Sequence, residues 1–222
     1  TPMPTLYGAY RSRATRNFWL ALEAGKDLEL KPVLQAYRVA DPKAADAPLH
    51  TLSPEFLAIS PAGAIPVMKD GDLVISESLA INLYLAKKWG GPLAPKDASE
   101  DAQMMQWALY GMTAIEPHTL PILYCYAEKR ADTPEGHAEL AARTEALERP
   151  LKALDTHLAT HGGHMVGARF TVADINMAEI LRYVQPHTSV LPRFPAIAAW
   201  LAACQSRAAF KEMMKRREAE PA

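Results

Sequence analysis

The sequence predicts an α/β domain followed by an all-helical domain, and three observations carry that assignment. Up to about residue 88, strand and helix patterns alternate in the order β-α-β-α-β-β-α. Gly90-Gly91-Pro92, with Pro95 soon after, then interrupts both patterns. Beyond this point strand signals stop and helical periodicity takes over. The expected domains are 1–88 and 97–222, with 89–96 as the linker between them.

Taken in order, Thr5-Leu6-Tyr7 is the first expected strand and Gly8-Ala9-Tyr10 the turn after it. Ser12 is placed to cap a helix running to about Ala24, with Gly25 as its stop. Leu28 to Gln35 alternates apolar and polar residues, the period of a strand. From Val39 to Leu49 the Asp, Pro, Lys and Ala content marks a loop. Ser53-Pro54-Glu55 opens a short helix, because Ser suits the cap and Pro the first helical position. Two apolar runs, Ile65 to Met68 and Leu73 to Ile75, flank an Asp70-Gly71 pair suited to a hairpin turn with positive φ at both central positions. Ser76-Glu77-Ser78 then begins an amphipathic helix to about Lys88. In the second part, helices are expected over 97–128, 134–160, 172–183, 195–204 and 208–217. Lys215-Arg216-Arg217, interleaved with Glu212, Glu218 and Glu220, reads as a solvated tail.

Composition excludes several functions. The 222 residues are 49% hydrophobic and 22% charged, which fits a folded soluble chain and not a disordered one. There are 10 basic and 9 acidic residues before position 90, and 14 and 16 after it. Neither part has the field that nucleic acid or an acidic membrane would need. Cys125 and Cys204 form no CxxC pair, which argues against a disulfide framework and fits a reducing, cytoplasmic setting. No apolar run approaches the roughly 18 residues of a membrane span. Arg11, Arg13 and Arg16 interrupt the first apolar stretch, so no secretory signal is expected. His157-(x)3-His161-(x)2-His164 has partly helical spacing, but Gly162-Gly163 breaks the helix and no carboxylate accompanies it. No metal site is expected.

Four segments in fixed order carry a family resemblance. They are Leu6-Tyr7-(x)4-Ser12, Ser60-Pro61-Ala62-Gly63-Ala64-Ile65-Pro66, Ser76-Glu77-Ser78-Leu79-Ala80-Ile81 and Phe170-Thr171-Val172-Ala173-Asp174-Ile175. Over nearly its whole length the chain resembles the cytosolic glutathione transferase family, in its serine-dependent, bacterial-type, theta/zeta-like form. The resemblance implies a thioredoxin-like first domain, a helical bundle after it, and a homodimer. It also implies glutathione as co-substrate and a detoxifying attack of its thiolate on a small, apolar electrophile.

Ser12 carries the expected chemistry. A free thiol with a pKa of about 8.5 is mostly protonated at neutral pH, and only the thiolate is nucleophilic. A hydroxyl at a helix N-terminus stabilises that thiolate by hydrogen bonding, and the helix dipole adds to the effect. Tyr7, at the end of the first strand, is the alternative donor and equally a structural strand aromatic. Arg13 and Arg16 either strengthen the local positive potential or are inert exposed charges. Arg13 and Ala14 stand where serine-dependent members often carry further Ser or Cys.

The remaining glutathione contacts divide by chemistry. Ile65-Pro66 is a candidate cis bond that would present the backbone of Ile65 to an extended peptide; its plain alternative is a trans-Pro on an edge strand. The resemblance gives Ile65 and Pro66 the cysteinyl part of glutathione. Ser78 and the free amides of its helix suit the γ-glutamyl carboxylate, and Glu77 the ammonium. The same residues are also ordinary capping chemistry. His50 is either a partner of the glycine carboxylate or a neutral loop histidine, with Lys43 a weaker candidate. Tyr110 and Thr113, on the first helix of the second domain, are the expected electrophile-pocket residues. Thr171 and Asp174 form a capping box with a structural role. Two other readings stay open: a glutathione-dependent isomerase of the maleylacetoacetate type, and a non-catalytic protein binding apolar ligands or partners.

Overall fold

Four short strands form one mixed sheet in the order β2-β1-β3-β4. β1 (Thr5–Gly8) runs parallel to β2 (Glu29–Pro32) and antiparallel to β3 (Val67–Asp70), which pairs antiparallel with β4 (Leu73–Ser76). The structure, a computed structural model, describes residues 3–221. The chain separates into two compact units, one of residues up to Trp89 and from Ala208 on, the other Gly90–Arg207.

In the first unit, α1 (Thr15–Ala24) connects the two parallel strands, α2 (Pro54–Leu57) precedes β3, and α3 (Ser78–Trp89) follows β4. The strand pleat sorts the core. Leu6 and its cross-strand partner Met68 are fully buried, while Tyr7 and its partner Val67 pack with Val33 and Phe56. β1 from Leu6 on and the first half of β3 are thus buried, with helices supplying the apolar cover.

Three boundaries differ from the sequence expectation. α1 begins three residues after Ser12, because residues 11–14 form a tighter turn first. β2 ends at Pro32, and the chain then leaves β1 so that Leu34 bridges to His50. The hairpin closes with Asp70 opposite Leu73, so its two loop residues are Gly71 and Asp72. Of these only Gly71 has positive φ, at +60°. The turn therefore needs its special conformation at one position, where glycine supplies it.

The last helix, α9 (Ala208–Ala219), belongs to the first unit. Sequence periodicity identified it as a helix but assigned it to the helical domain. Its Phe210 ring meets Trp19 of α1 edge-on, with centroids 4.9 Å apart.

The second unit contains α4 (Ala98–Tyr110), α5 (Glu116–Ala127), α6 (Pro134–Thr160), α7 (Val172–Leu181) and α8 (Pro195–Gln205). The single helix expected over 97–128 is interrupted by a π-helical segment, Gly111–Ile115. Gly111 lets this segment approach α7: a Cβ there would lie 2.6 Å from Ile180 Cδ1 and 3.3 Å from Met177 Cε. α7 is buried all round. Its start is the expected capping box, with Ala173 N–H donating to Thr171 Oγ1 and Thr171 N–H to Asp174 Oδ2. Asp174 Oδ1 also accepts from Trp200 Nε1 and Met165 N. Burial pushes this carboxyl up, and those hydrogen bonds only partly oppose it.

Arg169 closes the linker end of this unit. Its guanidinium donates to the carbonyls of Pro92 and Ala94 and to both carboxylate oxygens of Glu100. His157 and His161 spend ring nitrogens on the carbonyls of Met165 and His157, and their rings stack 4.1 Å apart. Among the described residues, no group of three or more His, Cys, Asp or Glu is arranged to hold a metal. Among them, too, no helix is long and apolar enough to cross a membrane. Cys125 and Cys204 are buried and are not joined in a disulfide.

Candidate functional site

The first unit brings three of the four sequence motifs to one end of its sheet. β1 ends there at Gly8, β3 starts there after Pro66, and β4 ends there at Ser76. Gly8 is the meeting point. A Cβ on it would stand 3.2 Å from Ala14 Cβ and 3.6 Å from Pro66 Cβ, so the Ser12 turn and Pro66 close on it from two sides. The Ile65–Pro66 bond is cis.

Ser12 lies in the turn that leads into α1. Its hydroxyl accepts from Ala14 N–H at 3.0 Å and donates to Ala9 carbonyl at 2.6 Å. The oxygen therefore performs a cap-like role while its proton rests on a neutral acceptor. A thiolate arriving here would compete for that proton. A hydrogen bond to a charged group contributes about 1.5–3 kcal/mol against about 0.5–1.5 for a neutral one, so rotation toward sulfur is favourable.

At the β4–α3 junction Glu77 alone joins strand to helix, and it does so with φ of 69°. A non-glycine residue in this region is strained, and such strain concentrates at functional positions. The first intrahelical bond runs from Ile81 N–H to Glu77 carbonyl at 2.9 Å. By helix geometry, the amides of Ser78, Leu79 and Ala80 have no intrahelical acceptor. Together with the helix dipole they form a place suited to a carboxylate. Glu77 is exposed and Ser78 buried.

Of the two readings the sequence allows for Arg16, a source of local positive potential or an inert exposed charge, the second is excluded, because the residue is fully buried. Its guanidinium donates to Ser78 Oγ at 2.9 Å. Beside it, Asn17 Nδ2 donates to Ser78 carbonyl and to Asn82 Oδ1, and Asn82 Nδ2 returns a bond to Arg16 carbonyl. This buried polar network ties α1 to the start of α3. Because arginine only donates, the Ser78 oxygen is the acceptor, and its proton remains available for a ligand. The signal in the sequence was adjacency: Arg16-Asn17 is a polar pair on a helix whose next residues, Phe18, Trp19 and Leu20, are apolar.

The other expected site residues are placed as follows. Tyr7 is 7% exposed, its ring packed with Val33, Phe56 and Val67. Arg13 is half-buried in the Ser12 turn. His50 is buried, and its Nδ1 accepts from Leu52 N–H, which fixes the proton on Nε2, where it donates to Pro42 carbonyl at 2.9 Å. Its ring thus ties the 41–53 loop together, and a carboxylate contact would require one of these bonds to break. In the second unit, Tyr110 donates to Pro150 carbonyl at 3.2 Å, and burial raises its phenol pKa. Thr113 is exposed in the π-helical segment and bonds back to Leu109 carbonyl at 2.8 Å.

Comparison with known proteins agrees with this architecture. Residues 6–93 match the family model "Glutathione S-transferase, N-terminal domain", and 102–208 match "Glutathione S-transferase, C-terminal domain". Glutathione S-transferase 3 of Zea mays is 31% identical over 167 residues, 72% of this chain and 74% of the maize protein. Among solved structures, glutathione transferase F7 from Populus trichocarpa aligns with TM-score 0.78 and 26% identity, covering 97% of this chain and 99% of the other. A glutathione S-transferase-I with bound lactoylglutathione aligns with TM-score 0.80 and 25% identity, covering 97% and 100%.

Proposed function

The chain belongs to the glutathione S-transferase family, and on that premise we propose that it is a glutathione transferase that ionises the glutathione thiol at Ser12 for attack on a small, apolar electrophile. The observation that carries the reading is the convergence of the Ser12 turn, cis-Pro66 and Ser78 at one end of the sheet, bound together through Gly8 and Arg16.

In this reading glutathione lies along the first unit. Its γ-glutamyl carboxylate meets the Ser78 hydroxyl and the free amides at the start of α3, and Glu77 supplies the counter-charge for the ammonium. The backbone of Ile65 pairs with the cysteinyl residue, with Pro66 setting its direction. His50, if it reaches the glycine carboxylate, does so by giving up its bond to Pro42. Ser12 turns its proton from Ala9 carbonyl to sulfur, and the thiol proton leaves to solvent. The thiolate then forms the S–C bond while the leaving group departs with its electron pair. Positioning and thiolate stabilisation supply the rate enhancement. Tyr7 has the weaker case for the donor role, because its ring is committed to the core.

Arg13 adds positive potential beside the Ser12 turn. Tyr110 and Thr113 belong to the electrophile side of this proposal, with Thr113 the more available because Tyr110 is already bonded to α6. The homodimer and detoxification role implied by the resemblance, and a cytoplasmic setting suited to two cysteines outside any disulfide, are parts of the same proposal. Neither the isomerase reading nor the non-catalytic one gains an observation in its favour. Titration calorimetry with glutathione tests the binding half: the protein should bind it, and Ser78→Ala should weaken binding by about 1–2 kcal/mol. Equal affinity in the two proteins would remove Ser78 from the site.

A further inference from the structure

The C-terminal segment, expected to be a solvated tail, is bonded to the turn that carries Ser12. Glu220 Oε2 accepts from Tyr10 N–H at 2.6 Å, and Oε1 accepts from Arg11 N–H at 3.2 Å. The carboxylate thus takes two consecutive backbone amides, those just ahead of Ser12. Arg11 returns the contact, its Nε donating to Glu220 carbonyl at 2.8 Å. Arg38 donates to Glu220 Oε1 at 3.0 Å and to Pro221 carbonyl at 2.6 Å.

These bonds close a ring. Gln35 Nε2 donates to Arg11 carbonyl at 2.9 Å, and Gln35 Oε1 accepts from Arg38 at 3.1 Å. Glu220 completes the circuit from Arg38 back to Arg11 N–H. Both polar groups of the Arg11 backbone are therefore fixed by side chains from elsewhere in the chain. The ion pair is sheltered, with the Arg38 and Glu220 side chains only 11% and 17% exposed. Upstream, Arg216 reaches the Tyr10 hydroxyl at 3.4 Å, and the Tyr10 ring stacks on Phe18 with centroids 3.9 Å apart.

We propose that Glu220 is a positioning residue for the thiolate-stabilising turn, and that the C-terminal segment is a strap holding residues 9–13 in the conformation that aims Ser12. The inference rests on the glutathione reading for its chemistry and on geometry alone for the strap. The mechanism is preorganisation. A serine hydroxyl stabilises charge only if its oxygen is already in place, because reorganising the turn at the moment of reaction would consume the gain. Two charge-assisted bonds to adjacent amides are what fix the backbone from Tyr10 to Ser12. Without the carboxylate, the Tyr10 and Arg11 amides lose their acceptor and Arg11 and Arg38 face each other without a shared counter-charge. The turn then samples conformations in which the Ser12 oxygen is displaced from the place where it can turn its proton from Ala9 carbonyl to sulfur.

The test uses the full chain with Glu220→Gln, Glu220→Ala and, as a control, the exposed Glu218→Gln. The first readout needs no ligand: amide exchange at Tyr10 and Arg11 should quicken at least about tenfold in Glu220→Ala, corresponding to about 1.4 kcal/mol of lost protection, while amides of β1 and β3 stay protected. Unchanged exchange would overturn the strap. The second readout is the pKa of bound glutathione thiol, followed by thiolate absorbance. It should rise by about one unit in both Glu220 variants, with kcat at neutral pH down about tenfold and the loss shrinking at higher pH. Glu218→Gln should match the unsubstituted protein in both readouts. Faster exchange with an unshifted thiol pKa would overturn the positioning role. If the unsubstituted protein itself leaves the bound thiol pKa near its free value, the transferase reading falls and takes the positioning role with it. The exchange result then still decides the strap.

Discussion

Arg16 donates a 2.9 Å hydrogen bond to the hydroxyl of Ser78, joining the helix that follows the Ser12 turn to the helix whose start faces the expected ligand carboxylate. The bond keeps the Ser78 proton turned away from Arg16. It also couples the two ends of the proposed glutathione site through a fully buried charge.

Replacing Arg16 with Met keeps most of the volume and removes the donor. The Ser78 hydroxyl is then free to turn inward, so KM for glutathione should rise several-fold while kcat at saturation changes little, the pattern of lost ground-state binding. Stability should fall by about 1.5–3 kcal/mol, as for other lost bonds to a charged group. Steady-state kinetics and urea unfolding check the two effects separately.

Gly111→Ala should destabilise the helical unit. The added methyl would sit 2.6 Å from Ile180 Cδ1, inside any van der Waals contact, and close to Met177 as well. Overpacking of this kind costs about 1–3 kcal/mol. The added Ile180→Val substitution shortens the opposing side chain and should recover part of the loss, as read by thermal unfolding of the single and double variants.

Glu100 should contribute acid-dependent stability. Arg169 beside it is the main reason its carboxyl is lowered from 4.5 to about 2, with the amide and ammonium of Lys96 adding to the effect. A folded-state pKa below the unfolded one gives stability that is complete above about pH 4.5 and lost as pH falls toward 2. The stability of Glu100→Gln, measured by unfolding across that window, should be lower at neutral pH and less pH-dependent on the acid side. Asp174, raised by burial, works in the opposite sense: its contribution is largest at low pH and declines as pH rises past its unfolded value. A Glu100→Gln protein with an unchanged acid slope would assign the window to other groups.

Most of the sheet order was legible, because strand period and turn chemistry are local. The parallel β1–β2 pair follows from the helix between them, and the β3–β4 hairpin follows from its Asp-Gly step. The hairpin register was off by one, since Asp70-Gly71-Asp72 offers two ways to centre a two-residue loop. Ser12 is not the cap of α1 that the sequence suggests: the helix starts after Ala14 with no side-chain cap bond, because the preceding turn has helical hydrogen bonds of its own. The partners of Arg16 and Glu220 are not readable from the sequence for a common reason. A charge on a helix or near a terminus is usually solvated, and no local pattern says which residue lies opposite it 62 or 210 positions away. Similarly, periodicity shows that 208–217 is a helix but not which unit it joins. That choice depends on the Trp19–Phe210 contact.

In the proposed site Ser12 holds the glutathione thiolate, and the pKa of the bound thiol measures this directly in the native protein, Ser12→Ala and Tyr7→Phe. One charge-assisted hydrogen bond is about 1.5–3 kcal/mol, or about 1–2 pKa units. In the native protein the thiol pKa should lie clearly below the free value of about 8.5. It should climb by about 1–2 units in Ser12→Ala and stay in place in Tyr7→Phe. A pKa that rises with the loss of the Tyr7 hydroxyl and ignores the loss of Ser12 would contradict the assignment.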